Sequence, residues 1–317
     1  MSEIKEYIIK RILALIPLAL GITFLVFVAI NFVPGDPVRI FLGIEGTEEL
    51  AQQIRQQLGL DQPLLLRYFH WLGQLLQGNL GYSLLTKLPV SQELAGRFTV
   101  TMQLALLGII FSVSLALPLG IASAIRQNTV SDFFIRIFAL VGVSLPNFAV
   151  GVLLILFLSN VFNWHPPIGF INLWDNPVMA LQILVLPVIA LGTSMAGSVS
   201  RMTRSAMLEV LRQDYIRTAR SKGLPERLII YRHAFRNALI PILTLVGLQL
   251  GYLLGGAVII EQIFSLPGLG RLLLTGINNR DYPVVMGCVL VIAIVFALVN
   301  MLVDILYTFV DPRIKYQ

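Results

Sequence analysis

Six stretches of this chain are so long and so apolar that a fold must place them across a membrane. They run approximately Ile12–Phe32, Thr101–Ile125, Ile137–Asn160, Leu181–Ser200, Leu239–Ile260 and Val284–Phe309. A helix needs about 20 residues to cross roughly 30 Å of hydrocarbon, which each stretch can supply. None has a charged residue near its middle, and only isolated polar groups such as Gln103, Asn147, Gln249 and Asn300 interrupt them. With 56% hydrophobic and 13% charged residues, the composition excludes an ordinary soluble domain. The expectation is an all-α integral membrane protein with six transmembrane helices.

The first stretch follows Lys5, Lys10 and Arg11, as a secretory signal would. Its apolar run is too long for a signal core, and Val33-Pro34-Gly35-Asp36 offers no small-x-small cleavage site, so it reads as a permanent anchor. Orientation follows from basic residues, which gather on the cytoplasmic side. Lys5, Lys10 and Arg11 flank the first span, Arg126 and Arg136 the second connection, and nine Lys/Arg lie between Arg201 and Arg236. The segment from Val33 to Phe98 has five basic against six acidic residues, and Val161 to Ala180 has no Lys or Arg. Both termini are therefore expected in the cytoplasm. The net charge of +6 reflects this asymmetry and gives no reason to expect nucleic-acid binding.

The organisation is uneven. Residues 1–98 hold the first span and an external helical segment, residues 99–310 the other five spans, and residues 311–317 a cytoplasmic tail. In the external segment Glu48–Leu58 has helical spacing, with Thr47 as N-cap and Gly59 as terminator. Pro63 to Leu76 reads as amphipathic, with Leu65, Tyr68, Phe69, Leu72 and Leu76 on one face. Pro17, Pro118, Pro146, Pro187 and Pro241 should kink the spans that contain them. Gly247, Gly251 and Gly255 recur every four residues, a spacing that lets membrane helices approach closely within one subunit or between two.

Catalytic constellations are missing. His70, His165 and His233 fall outside, outside and inside, so they cannot form one metal site, and no HExxH or GxSxG occurs. The single cysteine, Cys288, excludes an internal disulfide and reads as a packing residue. Glu261 and Asp304 lie near opposite membrane faces, where local bonds rather than ion coupling are expected. A self-powered secondary transporter would need an ionisable group at the midplane, and an intramembrane enzyme a catalytic pair at one depth; neither is visible. The chain also lacks GxxxxGK[ST], so any ATP must be bound by another polypeptide.

The segment Asp214 to Ile242 is the strongest functional clue. Arg217, Arg220, Lys222, Arg227, Arg232 and Arg236 cannot lie in hydrocarbon, and they are laid out as helix, break, helix. Gly223 can take the left-handed conformation that ends a helix, and Pro225 suits the first position of the next. Two short helices rich in Arg and Tyr make a docking surface, since both residues are favoured at interfaces.

At these residues the chain resembles the membrane permease subunits of ABC importers, specifically the peptide and nickel group. That superfamily carries an EAA-x3-G-x9-I-x-LP pattern on the loop that fits a groove on its ATPase. Here Thr218-Ala219-Arg220 occupies the EAA place, Gly223 the glycine and Ile240-Pro241 the end, and Thr218-Ala219-Arg220-Ser221-Lys222-Gly223 matches the TARxKG form of the peptide group. Pro34-Gly35-Asp36-Pro37, Leu58-Gly59-Leu60-Asp61-Gln62-Pro63-Leu64, Arg201-Met202-Thr203-Arg204, Phe264-Ser265-Leu266-Pro267-Gly268-Leu269-Gly270-Arg271, Arg280-Asp281-Tyr282-Pro283 and Asp311-Pro312-Arg313-Ile314 extend the resemblance. Gly78-Asn79-Leu80-Gly81 departs from it, because the group usually has Asp second.

The resemblance implies a type I importer permease fold in a prokaryotic inner membrane. It also implies a second permease (in this group usually a different chain), two ATPases that bind the ATP, and an external solute-binding protein. The coupling loop would lie within about 201–237 and involve Tyr215, Arg217, Thr218, Ala219, Arg220, Lys222, Gly223, Pro225, Glu226, Arg227, Arg232, Ile240 and Pro241. Asn147, Gln249, Gly247, Gly251 and Gly255 are candidates for lining the pathway or for helix packing. No residue set for a metal or resident cofactor is expected.

Overall fold

The computed structural model describes residues 2–32, 37–42, 47–57 and 59–310. The Asp311–Ile314 motif, the tail, most of Pro34–Pro37, Leu58 and the side chain of Asp304 lie outside what is described. The architecture is helical. In chain order the helices are α1 (Ser2–Phe32), α2 (Pro37–Leu42), α3 (Glu48–Gln57), α4 (Leu64–Leu76), α5 (Val90–Ile125), α6 (Val130–Ser144) and α7 (Asn147–Phe162). They continue as α8 (Pro177–Leu211), α9 (Asp214–Ser221), α10 (Glu226–Leu228), a π-helical segment (Ile229–Phe235), α11 (Arg236–Ile263), α12 (Leu269–Asn278) and α13 (Tyr282–Val310).

Each apolar stretch lies within a helix or a helix pair. Among the described residues four helices are long and apolar enough to span: Val90–Ile125, Pro177–Leu211, Glu226–Ile263 and Tyr282–Leu302. A fifth is gained if α6 and α7 count as one span, and Ile16–Phe32 adds a shorter apolar helix. The stretch expected to cross at Ile137–Asn160 is not one straight helix, because α6 and α7 meet at a bend of 108°. Pro146 is the cause. It has no N–H to continue the ladder, and it holds the preceding Leu145 in extended geometry (φ −85°, ψ 127°), so α6 stops and α7 restarts at Asn147. Pro17, Pro118, Pro187 and Pro241 stay inside continuous helices.

The described residues divide into two compact units, one drawn from residues 2–4, 102–266 and 298–310, the other from residues 5–101 and 267–297. The centre of the first is α8, which packs against α6, α7 and α11. Its neighbours approach where side chains are missing. A Cβ on Gly197 would stand 2.6 Å from the Ala139 carbonyl oxygen, and one on Gly192 2.7 Å from the Phe111 ring. At the second contact Ser112 Oγ donates to the Gly192 carbonyl at 2.8 Å, which stitches α5 to α8. Gln103 is also buried in this unit, donating to Asn172 Oδ1 and accepting from the Leu173 N–H.

At one end of α6 the Asp132 carboxylate is wholly buried. Thr129 caps the helix by accepting the Asp132 N–H, while Asp132 accepts from Ser123, from the Asn128 N–H and twice from Arg204. A buried carboxylate is tolerated only when its lone pairs are met in this way. The result joins α5, α6 and α8 by one polar knot.

In the second unit Thr47 accepts the Leu50 N–H, as an N-cap should, and Gly59 (φ +64°) ends the following turn. The face expected for α4 is rotated from the one buried. Tyr68 and Trp71 are buried against Phe27 and Met286, while Leu65, Phe69 and Leu76 are exposed. Both sides of α4 are apolar, so spacing alone could not select the inward one. The Tyr68 hydroxyl donates to the Leu20 carbonyl, and the ring lies edge-on to Phe24. Cys288 sits fully buried with Val90, Leu94, Leu269, Leu272 and Val284, a small apolar packing residue. Asn79, the departure from the usual Asp, accepts the Gly81 N–H at 2.9 Å, a bond either residue can make.

Candidate functional site: the basic double helix

The segment from Asp214 onward folds as two helical pieces around a sharp stop. Gly223 has φ +75°, its N–H donates to the Arg220 carbonyl at 2.9 Å, and the Leu224 N–H reaches the Ala219 carbonyl at 3.3 Å. These paired bonds are the Schellman ending, whose left-handed residue is glycine because a side chain there costs conformational energy. No atom lies within 4 Å of where a Gly223 Cβ would be, so the requirement is one of dihedral angle and not of space.

Pro225 stands one residue earlier than expected. It is the N-cap of α10 (φ −64°, ψ 138°), and Glu226 is the first helical residue. Proline contributes no N–H to an end where donors lack partners, so the position suits it nearly as well. The second helix is also not separate from the span that follows. Glu226–Ile263 runs on without a break, first as α10, then through the π-helical turn, then as α11. Ile240 and Pro241, the end of the expected pattern, therefore lie inside a continuous helix.

Two ties hold the pair together. Arg220 Nη2 donates to Glu226 Oε1 at 2.6 Å across the turn, and this carboxylate raises the arginine pKa above its ordinary value. At the other end of α9, Asn237 Nδ2 donates to the Tyr215 hydroxyl at 2.9 Å. The sequence reading missed Asn237. Its signal was its place on the first turn of α11, and only the fold shows which residue it meets.

The two pieces bury a narrow set of apolar side chains and expose the rest. Ile216 and Ala219 of α9, and Ile229, Ile230 and Ala234 of the π-helical turn, are buried. Tyr215, Arg217, Thr218, Arg220, Lys222, Gly223, Pro225, Glu226, Arg227 and Arg232 are exposed. Tyr231, not singled out from the sequence, joins them. Of the expected coupling-loop set, Ala219 is buried and Ile240 and Pro241 are half-buried, so these three pack the segment instead of presenting a surface. The wider π turn, one residue longer than an α turn, lets Ile229, Ile230 and Ala234 face inward while Tyr231 and Arg232 face out.

The other candidate group does not share one environment. Gly247 is buried, Gln249 and Gly251 are half-buried, and Gly255 is exposed with open space beside it. Asn147, at the restart after Pro146, packs against Gly256, its Nδ2 standing 3.2 Å from where a Cβ of that glycine would lie. Glu261 is fully buried. Among the described residues no group of three His, Cys, Asp or Glu is placed to hold a metal.

Residues 116–316 match the family described as binding-protein-dependent transport system inner membrane component, and residues 4–105 match the N-terminal model of the same kind of protein. The glutathione transport system permease protein GsiC of Salmonella typhimurium strain LT2 is 41% identical over 312 residues, covering 98% of this chain and 99% of the relative. The protein of the same name from Escherichia coli strain K12 is 39% identical with the same coverage. A crystal structure of an amino acid ABC transporter with histidines superposes with a TM-score of 0.53 at 15% identity, covering 71% of this chain and 95% of that one, which shows a shared fold. The chain belongs to the binding-protein-dependent transport system inner membrane components, the multi-pass permease subunits of ABC importers, which work with an ATPase on a separate subunit.

Proposed function

We propose that the exposed face of α9, the Gly223 turn and the π-helical segment is where a separate ATPase subunit docks and drives this permease. The observation that carries the reading is the segregation of side chains. The arginines and tyrosines of a stiffly capped double helix are all outward, while its inward positions are small or aliphatic. Such a face offers charge, aromatic area and fixed geometry to a partner. The gathering of basic residues around it supports a cytoplasmic position for this face and for both termini.

The partners follow from that role: two ATPases, an external solute-binding protein and a second permease of a different sequence. The second permease has a matching feature in α11, where Thr244, Leu248, Tyr252, Gly255, Ile259 and Gln262 form an exposed stripe at helical spacing. This stripe faces the sister subunit and the pathway, and Gly251 borders it. The substrate is glutathione or another small peptide-like solute, by likeness to relatives of that name over nearly the whole chain.

The test is co-purification of the importer from mild detergent, followed by ATP-driven uptake of labelled glutathione in proteoliposomes carrying the binding protein. Recovery of an ATPase that is lost in Arg217→Glu/Arg232→Glu, with the sister permease retained, supports the docking face. An ATPase that stays bound to that variant and drives normal uptake refutes it. Uptake of unrelated solutes but not glutathione refutes the substrate alone.

A further inference from the structure

A cavity of about 400 Å³ lies between α6 and α8, away from the double helix. From α6 the lining takes the apolar Ile135, Ala139 and Leu140 together with Arg136, and from α8 it takes Arg201 and Arg204. The three cations do not stand in the same state. Arg204 is committed to Asp132 by its two bonds. Arg136 reaches the same carboxylate only at 3.6 Å and keeps about half of its side chain exposed. Arg201 is exposed and has no ion pair among the described residues. Asp132 cannot neutralise them, because its oxygens are taken by Arg204, Ser123 and the Asn128 N–H. The cavity lining contains no carboxylate.

The surroundings say what kind of anion fits. Phe133, Phe134, Ile137, Leu140 and Val141 make the exposed side of α6 apolar, and Leu140 belongs both to that side and to the cavity wall. The cavity therefore opens from a basic floor onto a face suited to acyl chains. A soluble phosphate would use only the first half of this arrangement. A lipid with a phosphate headgroup and net negative charge uses both, and basic pockets between membrane helices on the cytoplasmic side select such headgroups.

We infer that the α6–α8 cavity is a binding site for one anionic phospholipid of the inner leaflet, with its phosphate on Arg136 and Arg201 and its chains along Ile137, Leu140 and Val141. The inference rests on the membrane orientation proposed above, and not on the docking of the ATPase.

The experiment is native mass spectrometry of the detergent-purified importer after exchange into nanodiscs of phosphatidylcholine alone or with phosphatidylglycerol. The expected result is one phosphatidylglycerol retained per copy of this chain. Retention should weaken on the order of tenfold in Arg136→Gln/Arg201→Gln, from the loss of two cations near an anionic headgroup. Ser205→Glu, which leaves both arginines in place but puts a negative charge in the lining, should also release the lipid. Equal retention by these variants, or equal retention of phosphatidylcholine, overturns the site. Displacement by millimolar inorganic phosphate makes it a free-anion site and overturns the lipid. Labelling of Ser205→Cys by an impermeant maleimide from the external side overturns the orientation, whereas Gly223→Val, which acts on docking, should leave the retained lipid unchanged.

Discussion

Arg204 grips Asp132 with two parallel hydrogen bonds, Nε to Oδ1 at 2.9 Å and Nη2 to Oδ2 at 3.1 Å, across 72 residues of sequence. The carboxylate has no exposed surface, so the pair cannot be replaced by water when one partner is removed. Arg204→Ala should destabilise the subunit by about 3–5 kcal/mol, the cost of leaving a buried charge unpaired. Arg204→Lys keeps the charge but not the fork and should lose less. Ser123→Ala should cost about 1–2 kcal/mol. Thermal unfolding of the detergent-solubilised protein ranks the three, and equal midpoints for wild type and Arg204→Ala would show that the pair contributes nothing.

At Gly223 the expected order of harm is set by the dihedral angle. Gly223→Asn should be mild, because asparagine visits the left-handed region. Gly223→Ala should cost about 1–2 kcal/mol, and Gly223→Val more. Gly223→Pro should be worst, since it cannot reach φ +75° and loses the bond to the Arg220 carbonyl. ATP-driven uptake by proteoliposomes of matched subunit content should fall in that order while membrane insertion is kept. Normal uptake by Gly223→Val would break the link between this turn and transport.

The Tyr215–Asn237 bond closes the double helix at its open end. Tyr215→Phe and Asn237→Ala should each cost about 0.5–1.5 kcal/mol, and the double variant little more than one of them. A double-mutant cycle on ATPase co-purification reads the coupling, and strictly additive losses would mean that the two residues act separately.

Two glycines should separate packing within the subunit from contact beyond it. Gly197→Ala puts a methyl group 2.6 Å from the Ala139 carbonyl and should destabilise the isolated subunit by about 1–3 kcal/mol. Gly255→Leu meets nothing within 4 Å of its Cβ and should leave the isolated subunit intact while weakening its pairing with the sister permease. Thermal unfolding of the single subunit and size-exclusion of the co-expressed pair distinguish the two, and unimpaired pairing of Gly255→Leu would place that stripe toward lipid.

Local chemistry made much of this legible in advance. Thr47, Gly59 and Gly223 act through their own backbones and one or two near neighbours, so their roles as caps and stops can be read from a few consecutive residues. The inward face of α4 could not be read this way, because Leu65 and Phe69 are as apolar as Tyr68 and Trp71. Only the position of Phe27 decides between them. Pro146 and Pro241 look alike in sequence, yet one gives a 108° bend and the other sits in an unbroken helix. The outcome depends on what packs around the missing hydrogen bond. Gly192 and Gly197 went unnoticed because their partners lie far away in the chain, whereas Gly247, Gly251 and Gly255 stood out through a periodicity that the packing of α11 does not treat as one face.

The helix from Glu226 to Ile263 runs without a loop, with the π-helical turn and Pro241 inside it. At 1.5 Å per residue it is a rod of roughly 57 Å, longer than the hydrocarbon it must cross. Arg227 and Arg232 ride on one end and the buried Glu261 on the other. A displacement at the basic end would therefore meet no loop before the other end of the helix. If the ATPase docks at the basic end, as proposed, such a part acts as a crankshaft: its two ends share one clock.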